Sequence, residues 1–377
     1  MQPKPLVRTR RTEHRFVKSP DRRFRCYLLL TVTVALARCS GLAPCADDAP
    51  ATGVVLVGAG STFDAPLFER WFTAYHSTHP GTTVKYDAIG SGEGVRRFIG
   101  RDLRPNEAID FGASDSAMSD PELAAAGDST LMVPATGGCV VVAYNLPGLK
   151  APLKLSRQAY AGIFVGDIQE WNDPRIVRSN PGVPLPSLAI GRVVRLDNSG
   201  TTFALSSHLA AINEGWRQRV GVSTHVNWPG DAVSGKGNEG VAGLIRNFEG
   251  SIGYIGYEFA MRLGLSLASL ENRDGQFVQP SPQTCAAGLA AADLPDNLRA
   301  FVPDPGGADS YPIVTFSWVL VRRTHGNEAK SAALRDLIEW CLKDGQQSSA
   351  GELGYAPLPA RVIDKALRAI RLMNDGK

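Results

Sequence analysis

Beyond residue 50, the hydrophobic positions of the chain follow two alternating periods. Short apolar runs rich in β-branched residues, such as Gly53 to Val57 and Cys139 to Tyr144, predict buried strands. Between such runs, apolar side chains recur every three or four residues, as Phe68, Trp71 and Tyr75 do, which predicts helices. Because strands and helices alternate along the chain, the pattern indicates an α/β fold in which sheets are flanked by helices.

The same criteria place the other elements, and the length of 377 residues indicates two domains at roughly 150 residues each. Further strands are predicted at Thr83 to Tyr86, Ile109 to Asp115, Val193 to Leu196, Ser251 to Tyr257 and Ile313 to Val321. Further helices are predicted through Val95 to Ile99, from Ser119, from Ser156 to near Gly166, through Phe203 to Leu209, and at Val241 to Phe248, Ala329 to Leu342 and Pro359 to Leu372.

The first 45 residues have the pattern of an export signal. Nine Lys or Arg residues lie within the first 25 positions, and Tyr27 to Ala37 then form an uninterrupted apolar run of eleven residues. That run fits the hydrophobic region of a secretory signal and is shorter than the roughly 20 residues that cross a bilayer. We therefore expect an exported protein, with two alternatives at the N-terminus: cleavage after Ala37, or a lipid anchor on Cys39 or Cys45.

Removal of this segment reverses the sign of the formal charge. Residues 1–45 contain ten Lys or Arg and two acidic residues, so their loss changes the charge from +3 to −5. A nucleic-acid partner normally requires a basic face, and the negative balance argues against one. We also expect no metal or other cofactor, and a monomer in solution.

Three cysteines remain after export: Cys139, Cys285 and Cys341. An oxidising compartment allows one disulfide among them, but their spacing does not identify the pair. The interpretation we favour from the sequence is three separate buried thiols. No pair of closely spaced cysteines suggests structural zinc.

Small polar residues are concentrated at four predicted junctions that follow strands. The free N–H groups at a helix N-terminus carry partial positive charge, and in open α/β sheets ligands bind beyond the carboxyl ends of the strands. At one junction Arg195 and Asp197 are two residues apart on a strand, so both side chains point the same way. The four junctions together predict an anion site; they are Gly60 to Phe63, Gly90 to Gly92, Ala113 to Asp115 and Asp197 to Thr201.

At these residues the sequence resembles the phosphate-binding proteins of bacterial phosphate ABC transporters. The resemblance covers nearly the whole chain beyond the export segment. Seven blocks carry it in the order and spacing of that family: GAGSTF at 58–63, AIGSGEGV at 88–95, DFGASD at 110–115, NSGTT at 198–202, GKGNEGV at 235–241, GSIGYIGY at 250–257 and ELGYAPLP at 352–359.

The resemblance implies a two-lobed, hinged periplasmic binding protein of type II that closes around one phosphate. Lobe one is then residues 50–134 plus 313–377, and lobe two is residues 135–312, with hinges near Pro134 to Gly138 and Tyr311 to Ile313. The implied partners are inorganic phosphate and an inner-membrane ABC permease with its cytoplasmic ATPase.

The resemblance also assigns the site residue by residue. The implied phosphate donors are Thr62, Phe63, Ser91, Arg195, Ser199, Gly200 and Thr201. Asp115 is the implied carboxylate acceptor, and Asp197 is the implied partner of Arg195. This sequence departs from the family at two positions, with Glu93 where a small residue is common and Asn198 where Gly is common.

An aspartate in an anion site has a chemical reason. A phosphate ester loses its last acidic proton with a pKa near 6, but inorganic phosphate has one further hydroxyl and therefore keeps at least one proton near neutral pH, whereas sulfate has none. A carboxylate accepts a hydrogen bond from that proton and repels a fully ionised anion, so Asp115 predicts selectivity for phosphate over sulfate.

Three alternatives use the same residues. A binding protein for another oxyanion, such as sulfate or molybdate, would keep the junctions, and a sensory or adhesive module would keep the fold. An enzyme requires a nucleophile with a base, or metal ligands, and the sequence contains no GxSxG, GxxxxGK[ST] or HExxH motif. His208 lies seven residues beyond Thr201 and is expected to pack in the structure or to face solvent. We therefore expect a protein that is not an enzyme.

Overall fold

The structure is a computed structural model that describes residues 53–373, apart from the side chains of residues 347–349. The predicted export segment, residues 1–45 with Cys39 and Cys45, lies outside the described residues. No helix within the described range is both long and apolar enough to cross a membrane.

A mixed sheet of nine strands forms the centre of the described chain. Its first half contains β1 (Val54–Gly60), β2 (Thr82–Ala88), β3 (Phe111–Ser114), the start of β4 (Thr130–Tyr144) and β12 (Val314–Arg322). Its second half contains the end of β4 with β6 (Gly191–Arg195), β7 (Val233–Gly235), β8 (Ser251–Gly256) and β9 (Ser266–Leu267). A separate small sheet contains β5 (Lys154–Leu155), β10 (Ser269–Glu271) and β11 (Phe277–Val278).

Strand β4 joins the two halves because it changes partner along its length. Residues 130–139 pair antiparallel with β12, and residues 140–144 pair antiparallel with β8. The outer pairs β1 with β2, β1 with β3, β6 with β8 and β6 with β7 are parallel. Parallel strands point their carboxyl ends to the same edge, which places the polar junctions of each half together.

Helices cover this sheet. Those of the first half are α1 (Ala65–Thr78), α2 (Ser91–Ile99), α3 (Asp120–Ala126), α11 (Glu328–Trp340) with a π-helical continuation (Cys341–Ala350), and α12 (Ala360–Ile370). The others are α4 (Arg157–Val165), α5 (Pro174–Val177), α6 (Gly200–Ile212), α7 (Glu214–Arg219), α8 (Gly237–Asn247), α9 (Tyr257–Leu263) and α10 (Pro282–Ala290).

The sequence periodicity accounts for the packing of these helices. In α1, Leu67, Phe68, Trp71 and Tyr75 are buried, so the predicted apolar stripe faces the core. The α/β fold of sheets flanked by helices is thereby confirmed.

The sequence predicted only the second part of the long strand β4. A strand was expected only from Cys139, whereas β4 begins nine residues earlier, at Thr130. Pro134 and the pair Gly137 and Gly138 weaken the strand signal in that segment. The tertiary pairing with β12 holds it extended nevertheless, with a register irregularity between Ser317 and Trp318.

The expectation of three separate thiols was wrong. Cys139 on β4 and Cys285 on α10 form a disulfide across a separation of 146 residues, and Cys341 is a buried free thiol. Both bonded cysteines lie fully inside the core. Spacing could not identify this pair because it depends on how α10 packs onto β4.

His208 packs inside the protein, as one of its two sequence interpretations expected. Its Nδ1 lies 2.7 Å from the Pro303 carbonyl oxygen, and its Nε2 lies 2.8 Å from the Tyr160 hydroxyl. These partners fit a neutral ring that donates from Nδ1 and accepts at Nε2. Burial lowers the pKa of His208 to about 4, although the nearby Asp304 carboxylate opposes that shift.

Removal of the disulfide is expected to destabilise the protein. A covalent link across so long a segment restricts the unfolded chain, and loss of such a bond typically costs about 2–5 kcal/mol. We expect this decrease in the free energy of unfolding for the double variant Cys139→Ala/Cys285→Ala, measured by guanidinium denaturation without reductant. Cys341→Ala is the control for loss of a buried sulfur, and an equal decrease in that variant would contradict the role of the bond.

His208 is expected to make stability depend on pH. The unfolded ring has a pKa near 6.5, so between pH 6.5 and 4 the unfolded chain binds a proton that the folded protein does not. The contribution of the neutral ring to the free energy of unfolding is fully present above pH 6.5. It falls by about 3 kcal/mol as the pH drops toward 4. We expect His208→Gln to flatten this dependence in unfolding experiments from pH 4 to 8. Identical slopes for the variant and wild type would show that His208 does not titrate on unfolding.

Candidate functional site

The four polar junctions of the sequence meet in the structure. The Gly92 N–H, in the first turn of α2, donates to the Asn198 carbonyl oxygen at 3.1 Å. A Cβ atom built on Gly200 would lie 2.6 Å from Cβ of Asp115 and 2.7 Å from Oγ of Ser91. Junctions that follow strands in both halves of the sheet therefore form one cluster, and Gly200 is required for their close approach.

Asp115 lies at the centre of this cluster and is buried. Its carboxylate accepts hydrogen bonds from the hydroxyls of Ser61, of Ser91 at 3.2 Å and of Ser317 at 2.9 Å. Burial raises the pKa of Asp115, while the Ser61 and Ser317 hydroxyls and the charge of Arg195 oppose that rise. Hydroxyl donors stabilise the ionised carboxylate, which leaves its remaining lone pairs able to accept a hydrogen bond.

Arg195 is held in a fixed orientation by Asp197. The Arg195 Nε donates to Asp197 Oδ1 at 2.9 Å, and Nη2 donates to Asp197 Oδ2. Burial raises the pKa of Asp197, but the hydrogen bonds and the charge of Arg195 outweigh it and leave that pKa below its usual value. Such a paired guanidinium presents its other N–H groups in a rigid geometry suited to an oxyanion.

The remaining N–H groups of Arg195 point at two threonines of the predicted site. Nη1 lies 3.2 Å from Thr201 Oγ1, and Nη2 lies 3.2 Å from Thr62 Oγ1. Thr62 belongs to the junction after β1 and Thr201 to the first turn of α6. The guanidinium therefore lies between the two halves of the sheet.

The N-terminus of α6 supplies the next set of donors. Ser199 is its N-cap residue, and the Ser199 Oγ accepts from the Thr202 N–H at 3.1 Å. Gly200 and Thr201 follow in the first turn, where α-helical hydrogen bonding provides no acceptor for their N–H groups. The buried Tyr254 hydroxyl fixes this end of the helix. It accepts a hydrogen bond from the backbone N–H of Arg195 and contacts Thr202 Oγ1 at 2.7 Å.

Phe63 is placed differently from the other expected donors. Its N–H donates to Oγ of Ser61 at 3.0 Å, within the loop that follows β1. Its carbonyl oxygen accepts from the Tyr355 hydroxyl at 2.6 Å, and the two rings pack edge to face. Phe63 thus orders the loop that carries Thr62.

Several residues of the cluster were not assigned from the sequence. Asn238 is buried near the start of α8, and its Nδ2 lies 3.1 Å from Thr62 Oγ1 while its Oδ1 accepts from the Gly256 N–H. The GKGNEGV block was visible, but it gave no indication that the amide faces Thr62. The one sequence signal of Ser317 was a polar side chain within a largely apolar strand.

The two departures from the family pattern do not put charge into the cluster. The Glu93 carboxylate pairs with Arg96 at 2.7 Å and with Arg97 at 3.2 Å on the outer side of α2. Hydrogen bonds from Arg96 lower its pKa, so Glu93 stays ionised there. Asn198 contributes its backbone carbonyl to the contact with Gly92.

A cavity of about 250 Å³ borders the cluster on its Thr62 side. Its lining includes Thr62, Asp197 and Asn238 together with the charged residues Glu69 and Arg262. Among the described residues no group of three or more His, Cys, Asp or Glu side chains is arranged to hold a metal ion. The cluster therefore offers hydrogen-bond donors around the Asp115 carboxylate and the Arg195 guanidinium.

Comparisons with a family model and with known proteins point to the same family. The model of the PBP superfamily domain matches residues 47–344. The phosphate-binding protein PstS of Xylella fastidiosa (strain Temecula1) is 37% identical over 314 residues, which cover 82% of this chain and 83% of the relative. The PstS proteins of Pasteurella multocida and Methanocaldococcus jannaschii are 38% and 32% identical and cover 82% and 92% of this chain, and 88% and 94% of their own lengths.

Solved structures share the fold. A high-affinity periplasmic phosphate-binding protein bound with phosphate superposes with a TM-score of 0.68 at 21% identity, covering 86% of this chain and 99% of its own. A phosphate-binding protein from Stenotrophomonas maltophilia gives a TM-score of 0.60 at 20% identity, covering 84% and 90%. On the strength of the sequence matches, the chain belongs to the PstS family of phosphate-binding proteins within the PBP superfamily.

Proposed function

We propose that the protein binds inorganic phosphate in the cluster around Asp115 and Arg195 and delivers it to a membrane ABC permease for import. The protein belongs to a family of binding proteins and is not an enzyme. The observation that carries the proposal is the pairing of a buried acceptor, Asp115, with a guanidinium oriented by Asp197. A protonated oxyanion needs both kinds of partner, and a fully ionised oxyanion needs only donors.

The proposed phosphate donors are the groups that converge on this point. They are the hydroxyl and N–H groups of Thr62 and Ser91, the guanidinium of Arg195, the hydroxyl of Ser199 and the N–H groups of Gly200 and Thr201. Phe63 remains a proposed donor through its N–H, which would exchange the Ser61 oxygen for phosphate. Asp115 is the proposed acceptor, and Asp197 is the proposed support of Arg195.

This set is sufficient for tight binding. Hydrogen bonds to charged groups contribute roughly 1.5–3 kcal/mol each. Micromolar affinity corresponds to about 8 kcal/mol, and the ordering of donors reduces the net gain. A handful of donors around one anion therefore meets the requirement without a metal or other cofactor.

We propose the two halves of the sheet as the two lobes, residues 50–134 with 313–377 and residues 135–312. The partner change within β4 supports a crossing between lobes in this strand, and it lies between residues 139 and 140, five residues beyond the boundary given by the family. The second crossing lies near Tyr311 to Ile313, where the Val140 N–H donates to the Ile313 carbonyl oxygen. Hinges at these two crossings would open the contact between Gly200 and Asp115.

The export pattern of residues 1–45 and the family support a periplasmic location. We propose that the protein acts there as a monomer, either free or anchored through a lipid on Cys39 or Cys45. Its permease and ATPase partners are proposed from the family role.

Asp115→Asn is expected to weaken the rejection of sulfate relative to phosphate. The amide keeps the shape of the side chain but presents N–H donors, so a fully ionised anion is no longer repelled. Phosphate affinity should also fall, by about 10- to 100-fold, with the loss of one charge-assisted hydrogen bond. The measurement is calorimetric titration with phosphate, sulfate and molybdate at neutral pH, on protein unfolded and refolded without reductant to remove bound anion.

The matched control is Asp87→Asn, which removes a carboxylate that is 61% exposed from the strand β2. It should leave both affinities unchanged. Unaltered sulfate rejection in Asp115→Asn would contradict the proposed selectivity, and preferential sulfate or molybdate binding by wild type would favour the other oxyanion function.

Asp197→Asn is expected to weaken phosphate binding while leaving the preference over sulfate in place. The variant loses the charge that orients Arg195, so the guanidinium loses its fixed geometry. We expect a decrease in phosphate affinity of at least about tenfold, since a charged hydrogen bond contributes roughly 1.5–3 kcal/mol. The same titrations measure it, and an affinity within twofold of wild type would mean that Arg195 does not need this support.

A further inference from the structure

A second buried aspartate lies beside Asp115, and the proposed phosphate contacts do not use it. Asp64 is the residue that precedes α1, and its exposed fraction is 0%. An aspartate at this position usually caps the helix through its side chain, but the Asp64 side chain makes no capping hydrogen bond. Its carboxyl group instead turns inward, toward Ser317 and Asp115.

Ser317 connects the two carboxyl groups. Its Oγ is within hydrogen-bond distance of Asp64 Oδ2 and lies 2.9 Å from Asp115 Oδ1. A serine hydroxyl has one proton and can donate it to only one of them. If both carboxyls were ionised, one of these two contacts would bring two oxygen atoms together without a proton between them.

The neighbouring Ser61 hydroxyl does not solve this shortage. It donates to Asp115, and its oxygen accepts from the N–H groups of Phe63 and Asp64. One additional proton on the pair of carboxyls gives every contact a donor. Two like charges this close in a buried site also favour a single shared proton.

The surroundings of the two carboxyls are unequal. Asp115 has three hydroxyl donors and the charge of Arg195, all of which stabilise its ionised form. Asp64 shares the Ser317 contact, and its Oδ1 is buried without a hydrogen-bond partner among the described residues. Burial and then the charge of Asp115 raise the pKa of Asp64 well above its usual range, although the Ser317 and Ser61 hydroxyls oppose that rise.

The other titratable groups that face Asp64 add no positive charge. They are Glu258 at the start of α9, Tyr86 on β2 and Tyr355 in the segment before α12. Burial raises the pKa of Glu258 well above its usual range, and its Oε1 is also buried without a partner within the described chain. These neighbours therefore give no reason for Asp64 to ionise.

We propose that Asp64 is protonated and donates a hydrogen bond to the Ser317 hydroxyl, which in turn donates a hydrogen bond to the Asp115 carboxylate. This relay fixes the direction of the Ser317 hydroxyl, so that Asp115 is ionised and can only accept a hydrogen bond. If the proton were on Asp115 instead, that carboxyl would be a donor and would no longer repel sulfate. Asp64 is thus a positioning residue for anion selectivity, and this role rests on the proposed phosphate function.

Infrared difference spectroscopy of Asp64→Asn tests where the proton lies. The asparagine keeps the shape, and its Nδ2 can donate to Ser317 as the protonated acid does. At neutral pH we expect the variant to lose the C=O stretching band of a protonated carboxylic acid. Loss of the carboxylate bands instead would overturn the proposal.

Two further variants keep this test decisive. Glu258→Gln removes the other unpartnered buried carboxyl and should lose a different acid band. Ser317→Ala keeps both aspartates but removes the bridge, so we expect the acid band of Asp64 to shift. A band that does not move in Ser317→Ala would overturn the donation from Asp64 to Ser317, even if Asp64→Asn failed to fold.

The pH dependence of phosphate affinity gives a second test of the proposed proton on Asp64. At each pH, the ratio of phosphate Kd for Asp64→Asn to that for wild type cancels the titration of phosphate itself. Where Asp64 begins to ionise at alkaline pH, wild type should lose affinity relative to the variant by up to about tenfold per pH unit. Glu258→Gln should follow wild type there.

The opposite trend, with wild type gaining affinity over Asp64→Asn as the pH rises, would overturn the proposal. A constant ratio together with loss of the acid band means that the proton stays on Asp64 throughout, as proposed. The spectra need no ligand, so they decide the position of the proton even if wild type fails to bind phosphate, which would refute the proposed function alone.

Discussion

The proposed function places one electrostatic constraint on the site: a buried carboxylate must lie where the anion would bind. No cation among the described residues forms an ion pair with Asp115, and its charge is stabilised by the hydroxyls of Ser61, Ser91 and Ser317. Hydroxyls stabilise the charge without a competing salt bridge, so the acceptor capacity of the carboxylate is kept. In the proposed function, the positive charge that the anion needs comes separately, from Arg195.

That separation explains why the two halves of the sheet must meet. Asp115 follows β3 in the first half, whereas Arg195 ends β6 in the second. Contacts such as the one from Arg195 to Thr62 join the halves through neutral threonine hydroxyls. In the proposed function, Asp115 and Arg195 can act on one ligand only when these halves are together, which would couple binding to the relative position of the proposed lobes.

Most elements of the fold could be predicted from periodicity, and the exceptions have physical causes. The strand at Thr130–Tyr144 was found only in its second part, because Pro134, Gly137 and Gly138 have low strand propensity and are held extended by pairing with β12. The start of α8 at Gly237 was expected four residues later, since Gly237 and Gly240 conceal its beginning. Short elements such as β5 and β9 had too few residues to show any period.

The sequence by itself determined the α/β class, the four polar junctions and the donor and acceptor types within them, because period and residue chemistry are local properties. Tertiary structure alone decided that Cys139 pairs with Cys285, that Glu93 pairs outward with arginines, and that Asp64 shares Ser317 with Asp115. Asp64 and Ser317 are 253 residues apart, and no local pattern records such proximity. The packing of α1 against the central sheet creates it, and with it the unequal environments that separate two chemically identical carboxyl groups.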